Sequence, residues 1–467
     1  MERADVQGLV LYAYKHHRRS RFYRLRFDDG QPREWLRRVL TDVASGREDR
    51  DGQFRFNVAF SARGLRALGL DGEELATFSR EFAQGMAHPE RSDVLGDVAS
   101  DAPEHWEFGN DAQPVDALAM LYARSDDELS TRAGELERLL ERYGIQHRYE
   151  DVSLPDDGRE HFGFVDGVAQ PFIRGSGRRR HRGDPKLAPG EILLGYTNGY
   201  GQISPVPTAR ARRGTREHPF PISGSERVAF GYNGTYLVLR KLQQKVGDFW
   251  SYCWDAAVAE QAPNVPERAK RIAALFVGRW PNGVPLVEAP DAEPAHAGEL
   301  NDFGFRELDP DGLRCPIGAH VRRANPRDMF GDTAKEGLHD ANLHRLVRRG
   351  RAYGPKLPGA MPRTDDGTER GLCFVALNAN LRRQFEFIQQ NWMNNCKFAG
   401  LSAERDPLIG KLAFDFDDQP VPRIFSVQAR PVRARYEGLP KFVQLRGGEY
   451  FFLPGLRALN YLCDGGD

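Results

Sequence analysis

Cysteine is scarce in this sequence and never paired. The 467 residues include only Cys253, Cys315, Cys373, Cys396 and Cys463, and no two of them form a CxxC motif. An odd number of widely spaced cysteines argues against a disulfide framework and against a thiolate zinc site. We therefore expect a protein of the reducing cytoplasm.

Long apolar runs and an excess of one charge are also missing. No window of about 18 apolar residues occurs, so no membrane-spanning helix is expected, and the first residues lack a signal-peptide cleavage site. Lys plus Arg and Asp plus Glu both number 66, which gives a formal net charge of zero. This balance argues against a chain that mainly coats nucleic acid or an anionic membrane. A small-molecule partner is the better expectation.

One order of elements fills the first half of the chain. The length alone favours at least two domains. Apolar periodicity predicts strands at 22–27, 54–60, 116–123 and 147–154, with helices at 33–44 and 127–143. The resulting order, βαββαβ, is typical of the ferredoxin-like fold, an antiparallel sheet with helices packed on one face.

The second half repeats this order less clearly. It has predicted strands at 235–242 and 373–378 and predicted helices at about 245–258, 266–276 and 381–393. A connection rich in Gly, Pro and Arg separates the halves and is typical of a surface loop. We predict an α+β protein with two ferredoxin-like domains, residues 1–215 and 216–467.

A lone histidine, His320, lies in the arginine-rich stretch RCPIGAHVRRANPRD at 314–328. If this stretch forms a helical turn, Arg323 and Arg327 share the face of His320, and Arg322 points away. A neutral imidazole can bind a metal, and guanidinium groups beside it suit an anion next to that metal. Haem offers both, since its iron takes a histidine and its propionates pair with arginine. On spacing alone, a surface histidine without a function is more common.

Three motifs in this sequence resemble those of the dye-decolourising peroxidases. CPIGAHVRRANPR at 315–327 resembles their proximal-histidine segment, GFVDGVAQP at 163–171 their GxxDG motif, and VRRGRAYG at 347–354 their distal-arginine segment. The stretches DVQGLVLYAY, LLGYTNGYG, NGTYLVLRKL and NANLRRQFEFIQQNW extend the resemblance over nearly the whole chain. That family has two ferredoxin-like domains with haem between them, held mainly by the second. The resemblance therefore implies the architecture that the periodicity predicts.

The resemblance also implies roles for individual residues. His320 would be the axial iron ligand, Asp166 the distal acid/base and Arg348 its distal partner. An aspartate can move a proton between the two peroxide oxygens, and an arginine can stabilise negative charge on the departing oxygen. Arg349 is the alternative to Arg348 if the motif match is off by one residue.

The surroundings of the haem are predicted more broadly. A carboxylate should accept the second ring N–H of His320, and Glu386 is the first choice, with Asp311 and Asp340 behind it. Apolar contacts are expected from Phe374 and Phe387, along with Ile317. The expected cofactor contacts besides His320 are Gly163, Gly167, Arg323, Arg327, Phe374, Phe387 and Glu386. The two glycines would let the backbone approach the porphyrin edge.

The resemblance implies a peroxidase that uses hydrogen peroxide to oxidise phenolic or dye-like donors by one-electron steps. The haem b would be non-covalent because no CxxCH motif occurs. Two alternatives stay open: a haem carrier without turnover, and a haem-free hydrolase that uses His320, Asp166 and His161. No GxSxG, P-loop or HExxH pattern supports the hydrolase. A homo-oligomer formed by pairing of edge strands is compatible with such domains.

Overall fold

The computed structural model describes residues 1–47, 52, 54–212, 219–296, 300–415, 417 and 419–464. The strands in this part of the chain are β1 (Arg19–Arg26), β2 (Phe54–Phe60), β3 (Ala117–Ala123), β4 (Gln146–Ser153), β5 (Phe172–Ile173), β6 (Lys186–Leu187), β7 (Ala209–Arg210), β8 (Arg227–Val228), β9 (Thr235–Gln244), β10 (Val347–Arg348), β11 (Arg351–Tyr353), β12 (Gly371–Asn378), β13 (Ile424–Val427), β14 (Ala434–Glu437) and β15 (Val443–Leu453). The α-helices are α1 (Gly8–Leu11), α2 (Pro32–Val39), α3 (Ala62–Ala67), α4 (Gly72–Leu75), α5 (Arg80–Gln84), α6 (Pro89–Leu95), α7 (Asp126–Arg142), α8 (Val246–Ala259), α9 (Val265–Val277), α10 (His320–Ala324), α11 (Ala334–Leu343) and α12 (Leu456–Cys463). Two π-helical segments, Arg382–Glu386 and Ile388–Met393, follow β12.

The first half forms the predicted ferredoxin-like sheet. Its strands run in the order β4-β1-β3-β2, and every neighbouring pair is antiparallel. Helix α7 packs on this sheet through Leu129, Ala133, Leu136 and Leu140, which are buried as the period of the sequence requires. The side chain of Ser125 accepts the N–H of Glu128 and fixes the start of this helix. The predicted strands and helices of the first half are therefore confirmed in their order, but the first helix ends at Val39 and the short helices α3 to α6 between β2 and β3 were not predicted.

The second half places β9 between β15 and β12, all antiparallel. Strands β10 and β11 follow one another along the other edge of β12. The predicted helices at 245–258 and 266–276 are α8 and α9, which pack against each other. The helix predicted at 381–393 is present but wound largely as π-helix. The α+β class is thus confirmed for the whole described chain.

The two sheets are not separate bodies, because their edges join. Strand β11 pairs with β4, and β15 pairs with β2 at Phe452 and Phe60. Eight of the nine strands of this sheet therefore close into one ring, with β10 attached to β12, and the interior holds a buried cluster that includes Phe22, Leu239 and Phe451. These two joins are short, because β11 pairs with β4 only at residues 152 and 153 and β15 pairs with β2 only at Phe60. The predicted boundary at residues 215 and 216 lies outside the described residues.

The outer face of β9, β12 and β15 positions the cavity that is described next. Side chains alternate along a strand, so Leu239 points into the ring, and Arg240, Leu242 and Gln244 point out. Against this face pack α8, α9 and the residues around Trp280, which form a second apolar core. The described part of the chain has no helix with both the length and the apolar composition needed to cross a bilayer.

Candidate active site

A cavity of about 280 Å³ separates the outer face of the second-half strands from the loops and helices that cover them. Its walls are mainly apolar and include Leu242 of β9, Phe374 of β12 and Leu445 of β15. Three residues of the sequence motifs, His320, Asp166 and Arg348, line this one cavity. The structure therefore brings together side chains that lie far apart along the chain.

His320 is the first residue of α10, and Asp406 fixes its ring. Nδ1 of His320 lies 2.9 Å from Oδ2 of Asp406, and Oδ1 of that carboxylate accepts the backbone N–H groups of Leu408 and Ile409 at 2.9 and 2.8 Å. With Nδ1 occupied, Nε2 is the ring nitrogen available to a ligand in the cavity. A histidine held in this way is typical of a metal ligand.

His320 and Asp406 each favour the charged form of the other. Burial alone would raise the pKa of Asp406, but the His320 ring and the N–H of Ile409 outweigh it and keep the pKa below its usual range. Burial alone would lower the pKa of His320, but the Asp406 carboxylate outweighs it and raises the pKa. The negative charge beside the ring makes the imidazole a stronger electron donor.

The prediction that Glu386 accepts the second ring N–H of His320 is wrong. Both oxygens of Glu386 are used elsewhere, at 2.9 Å from Nη1 of Arg91 and at 2.9 Å from the hydroxyl of Tyr450. The two reserve choices lie at the surface, where Asp311 pairs with Arg430 and Asp340 is exposed. The sequence did not indicate Asp406, because this residue lies 86 residues from His320 in a loop without apolar periodicity. Its one signal is the following Pro407, since Asp-Pro is typical of a turn.

The predicted face of His320, Arg323 and Arg327 does not exist, because α10 ends at Ala324 and Arg327 has a φ of +53°. Neither arginine lines the cavity. Arg323 donates to the carbonyls of Trp392, Asn395 and Glu404, and Arg327 donates to those of Asn301 and Phe303. Both are buried and hold backbone segments in place. Arg322, expected to point away, is also buried and pairs with Asp309.

Asp166 and Arg348 lie together at the cavity wall. Nη1 of Arg348 is 3.5 Å from Oδ1 of Asp166, and the two side chains are 38% and 49% exposed. The backbone N–H of Arg348 donates to the side chain of Gln170, which ties β10 to the segment after the GxxDG motif. Arg349 is buried elsewhere and donates to the carbonyls of Leu9 and Val10. Of the two arginines, only Arg348 reaches the cavity.

The other predicted contacts divide between the cavity and the core. Gly167 and Phe374 line the cavity, whereas Gly163 and Phe387 do not. Phe387 instead stacks on the ring of His344, with the ring centroids 3.8 Å apart. Gly167 has a φ of +77°, and a Cβ built there would meet no atom within 4 Å. The positive φ of this glycine is by itself a conformation that favours glycine over other residues.

Arg279 is a cavity residue that the sequence analysis missed. It follows Gly278 at the end of α9, and its Nη1 donates to the carbonyls of Gly283 and Leu300, both at 2.8 Å. Its Nη2 is buried and has no hydrogen-bond partner among the described residues. Burial, reinforced by the neighbouring Arg348, lowers the pKa of Arg279 to about 10. Its signal in the sequence is its position shortly after the apolar stretch of α9 and directly before Trp280.

A second buried arginine, Arg345, does not line the cavity but lies near enough to Arg279 and Arg348 for their charges to affect it. Its Nε has no partner among the described residues, and burial lowers its pKa to about 10, with Arg348 and Arg279 adding repulsion. Guanidinium groups that repel one another, each with one buried nitrogen left unpartnered, suit an anionic ligand. Together with an apolar cavity and an imidazole oriented by a carboxylate, they fit a haem with its propionates.

Three known proteins that resemble this chain, two in sequence and one in structure, are decolorizing or dye peroxidases. No protein-family model matches the chain. It is 30% identical to the dye-decolorizing peroxidase msp1 of Mycetinis scorodonius, over 86% of this chain and 75% of that protein. It is 30% identical to the multifunctional dye peroxidase DyP2 of an Amycolatopsis species, over 87% of this chain and 81% of that one. The crystal structure of a decolorizing peroxidase from Auricularia auricula-judae superposes with a TM-score of 0.80 at 26% identity, covering 99% of this chain and 100% of that one.

Proposed function

The chain belongs to the dye-decolourising peroxidase family, and we propose that it uses hydrogen peroxide to oxidise phenolic or dye-like donors by one-electron steps. The observation that carries this proposal is the shared cavity of His320, Asp166 and Arg348. One side chain there can ligate iron, one can move a proton, and one carries a fixed positive charge. Peroxide cleavage requires these three functions in one place.

His320 would hold the cofactor, non-covalent haem b, through Nε2. When bound, haem supplies an iron centre that accepts two oxidising equivalents from peroxide and passes them on singly. The Asp406 carboxylate at Nδ1 fixes the ring orientation and increases the electron density on Nε2. The absence of a CxxCH motif supports non-covalent binding. The five free thiols support a cytoplasmic location as part of the same proposal.

Asp166 would act on the proton of peroxide. Its carboxylate can take a proton from one peroxide oxygen and return it to the other as the O–O bond breaks. The side chain is half exposed and is hydrogen bonded to its neighbour Gly167, so the carboxylate keeps access to water and to the cavity. Arg348, 3.5 Å from Oδ1, would hold the peroxide anion and stabilise charge on the departing oxygen.

Arg279 and Arg345 would pair with the propionates, in place of Arg323 and Arg327. The unpartnered Nη2 of Arg279 and Nε of Arg345 support this assignment, since buried guanidinium N–H groups normally have partners. The terminal guanidinium nitrogens of Arg323 and Arg327 donate to backbone carbonyls, and neither side chain lines the cavity. Two carboxylates would offset the repulsion among Arg279, Arg345 and Arg348.

The test is the response of the purified, haem-loaded protein to peroxide and then to a phenolic donor. We expect one equivalent of peroxide to change the absorption spectrum and about two equivalents of donor to restore it. A haem carrier would instead lose its absorption band irreversibly and consume no donor. Replacement of Asp166 by Asn should slow the spectral change by about 100-fold or more. The matched control is Asp311→Asn, which removes an exposed carboxylate that pairs with Arg430 away from the cavity.

A further inference from the structure

We propose that Glu160 is the positioning residue for Asp166, an inference that rests on the proposed function. Glu160 lines the same cavity, and its carboxylate holds the turn that leads to Asp166. Oε2 accepts the N–H of Phe162, and Oε1 accepts the N–H of Phe164, both at 2.9 Å. The backbone N–H of Glu160 also donates to the carbonyl of Phe164 at 2.9 Å. One carboxylate thus accepts the N–H groups of two alternate residues of the turn.

The same carboxylate ties the turn to the sheet. Nε2 of Gln244, on the outer face of β9, donates to Oε2 of Glu160 at 2.5 Å. Beyond the turn, the N–H of Asp166 donates to the carbonyl of Gly158, and the N–H of Val165 donates to that of Pro281. The Asp166 side chain itself contacts only Gly167 and Arg348 among the hydrogen bonds and ion pairs of the described residues. The backbone of the turn therefore sets where the Asp166 side chain begins, and Gly167 and Arg348 contact its carboxylate.

Glu160 holds the turn because both oxygens of its carboxylate accept hydrogen bonds. Enclosure by protein, with the nearby charge of Asp166, raises the pKa of Glu160 to about 7, although the three N–H donors oppose the shift. Glutamine at this position would offer one oxygen and one NH₂ group. That NH₂ would face a backbone N–H, so one donor of the turn would lose its acceptor. The side chain would keep its size, but the turn would lose one of the hydrogen bonds that hold it in place.

Glu449 provides a matched control. Its carboxylate also accepts two backbone N–H groups, those of Met86 and Tyr450, and enclosure raises its pKa to about 7 as well. It does not line the cavity.

We expect Glu160→Gln to slow the reaction with peroxide at least tenfold and to speed hydrogen exchange of the amides at 161–167. Glu449→Gln should leave both within twofold of the unmodified protein. A Glu160→Gln protein that matches the control in both measurements would overturn the proposal.

A double-mutant cycle separates positioning from a general structural role. If Glu160 acts through Asp166, Glu160→Gln should change the peroxide rate less than twofold in an Asp166→Asn background. Effects that multiply would show that Glu160 acts independently and would overturn the proposal. If Asp166→Asn alone leaves the rate unchanged, the proposed function fails at that residue. The hydrogen-exchange measurement then still decides whether Glu160 holds the turn.

A second variant covers the case in which Glu160→Gln does not fold. Gln244→Leu removes one donor to Oε2 but leaves the two backbone N–H groups paired with the carboxylate. We expect it to fold, to slow the peroxide reaction at least threefold, and to add less than twofold in the Asp166→Asn background. The same slowing in both backgrounds, or no slowing in either, would contradict the positioning function.

Discussion

Nδ1 of His320 lies 2.9 Å from Oδ2 of Asp406, a carboxylate that is fully buried and also accepts two backbone N–H groups. This contact leaves only Nε2 free for the cavity. It also links the α10 segment to a loop 86 residues further along the chain. The orientation of the proposed iron ligand is therefore set by a carboxylate that is itself held rigidly.

Replacement of Asp406 by Asn should weaken haem binding by about 10- to 100-fold, the usual effect of losing a carboxylate behind a metal-bound histidine. Asparagine can still accept a hydrogen bond but carries no charge, so His320 becomes a weaker donor. Titration of the haem-free protein with haem, followed by absorption, measures the affinity. Asp311→Asn should bind haem as the unmodified protein does, and equal affinities for both variants would contradict the role of Asp406.

Arg348 and Arg349 should differ sharply when each is replaced by Leu. Arg348→Leu should slow the peroxide reaction by about 10²- to 10³-fold, because it removes a positive charge from the cavity. Arg349→Leu should mainly lower stability, since the carbonyls of Leu9 and Val10 lose their donor. Stopped-flow absorption and denaturant unfolding distinguish the two effects. The assignment is wrong if Arg349→Leu is the slower enzyme per folded molecule.

Arg279 and Arg323 offer a similar contrast for cofactor binding. Arg279→Gln should weaken haem binding and should lower the stability of the haem-free protein less than Arg323→Gln does, because relief of the repulsion from Arg348 offsets part of the loss of two hydrogen bonds to carbonyls. Arg323→Gln should lower the free energy of unfolding by about 1–3 kcal/mol, because buried carbonyls lose their donor. Haem titration and chemical denaturation measure these quantities. Unchanged haem affinity in Arg279→Gln would contradict the assignment of Arg279 as a propionate partner.

Glu449 predicts a pH dependence of stability. Enclosure raises its pKa from 4.5 to about 7 on folding, so the folded state favours the protonated form. The stabilisation is complete below pH 4.5 and is lost as the pH rises through about 7. The unmodified protein should therefore lose about 3 kcal/mol relative to Glu449→Gln between pH 4.5 and pH 8. Unfolding curves across this range measure the difference, and a constant difference would exclude the raised pKa.

Much of the fold follows from local periodicity. The predicted strand at 54–60 is β2 to the residue, and the helix predicted at 127–143 is α7 to within one residue at each end. These elements have one clearly apolar face, which the sequence displays directly. Closure of the ring was not predicted, because it depends on short pairings, such as Phe452 with Phe60, between segments distant in the chain. Local patterns carry no information on such pairings.

The site was only partly predictable for the same reason. His320, Asp166 and Arg348 lie in short motifs, and the structure brings all three to one cavity. The functions proposed for Asp406, Arg279 and Glu160 depend on contacts that only the folded chain creates. The helical face assumed for Arg323 and Arg327 failed because α10 is five residues long, too short to extend a face to position 327. Spacing arguments hold only as far as the helix continues.

The most direct test of the account is the absorption spectrum of haem added to His320→Gly, recorded with and without imidazole in solution. If His320 is the iron ligand, the variant should bind haem weakly with an altered absorption band, and added imidazole should restore the spectrum of the unmodified protein. An unaltered spectrum in the absence of imidazole would show that another side chain ligates the iron and would contradict the account.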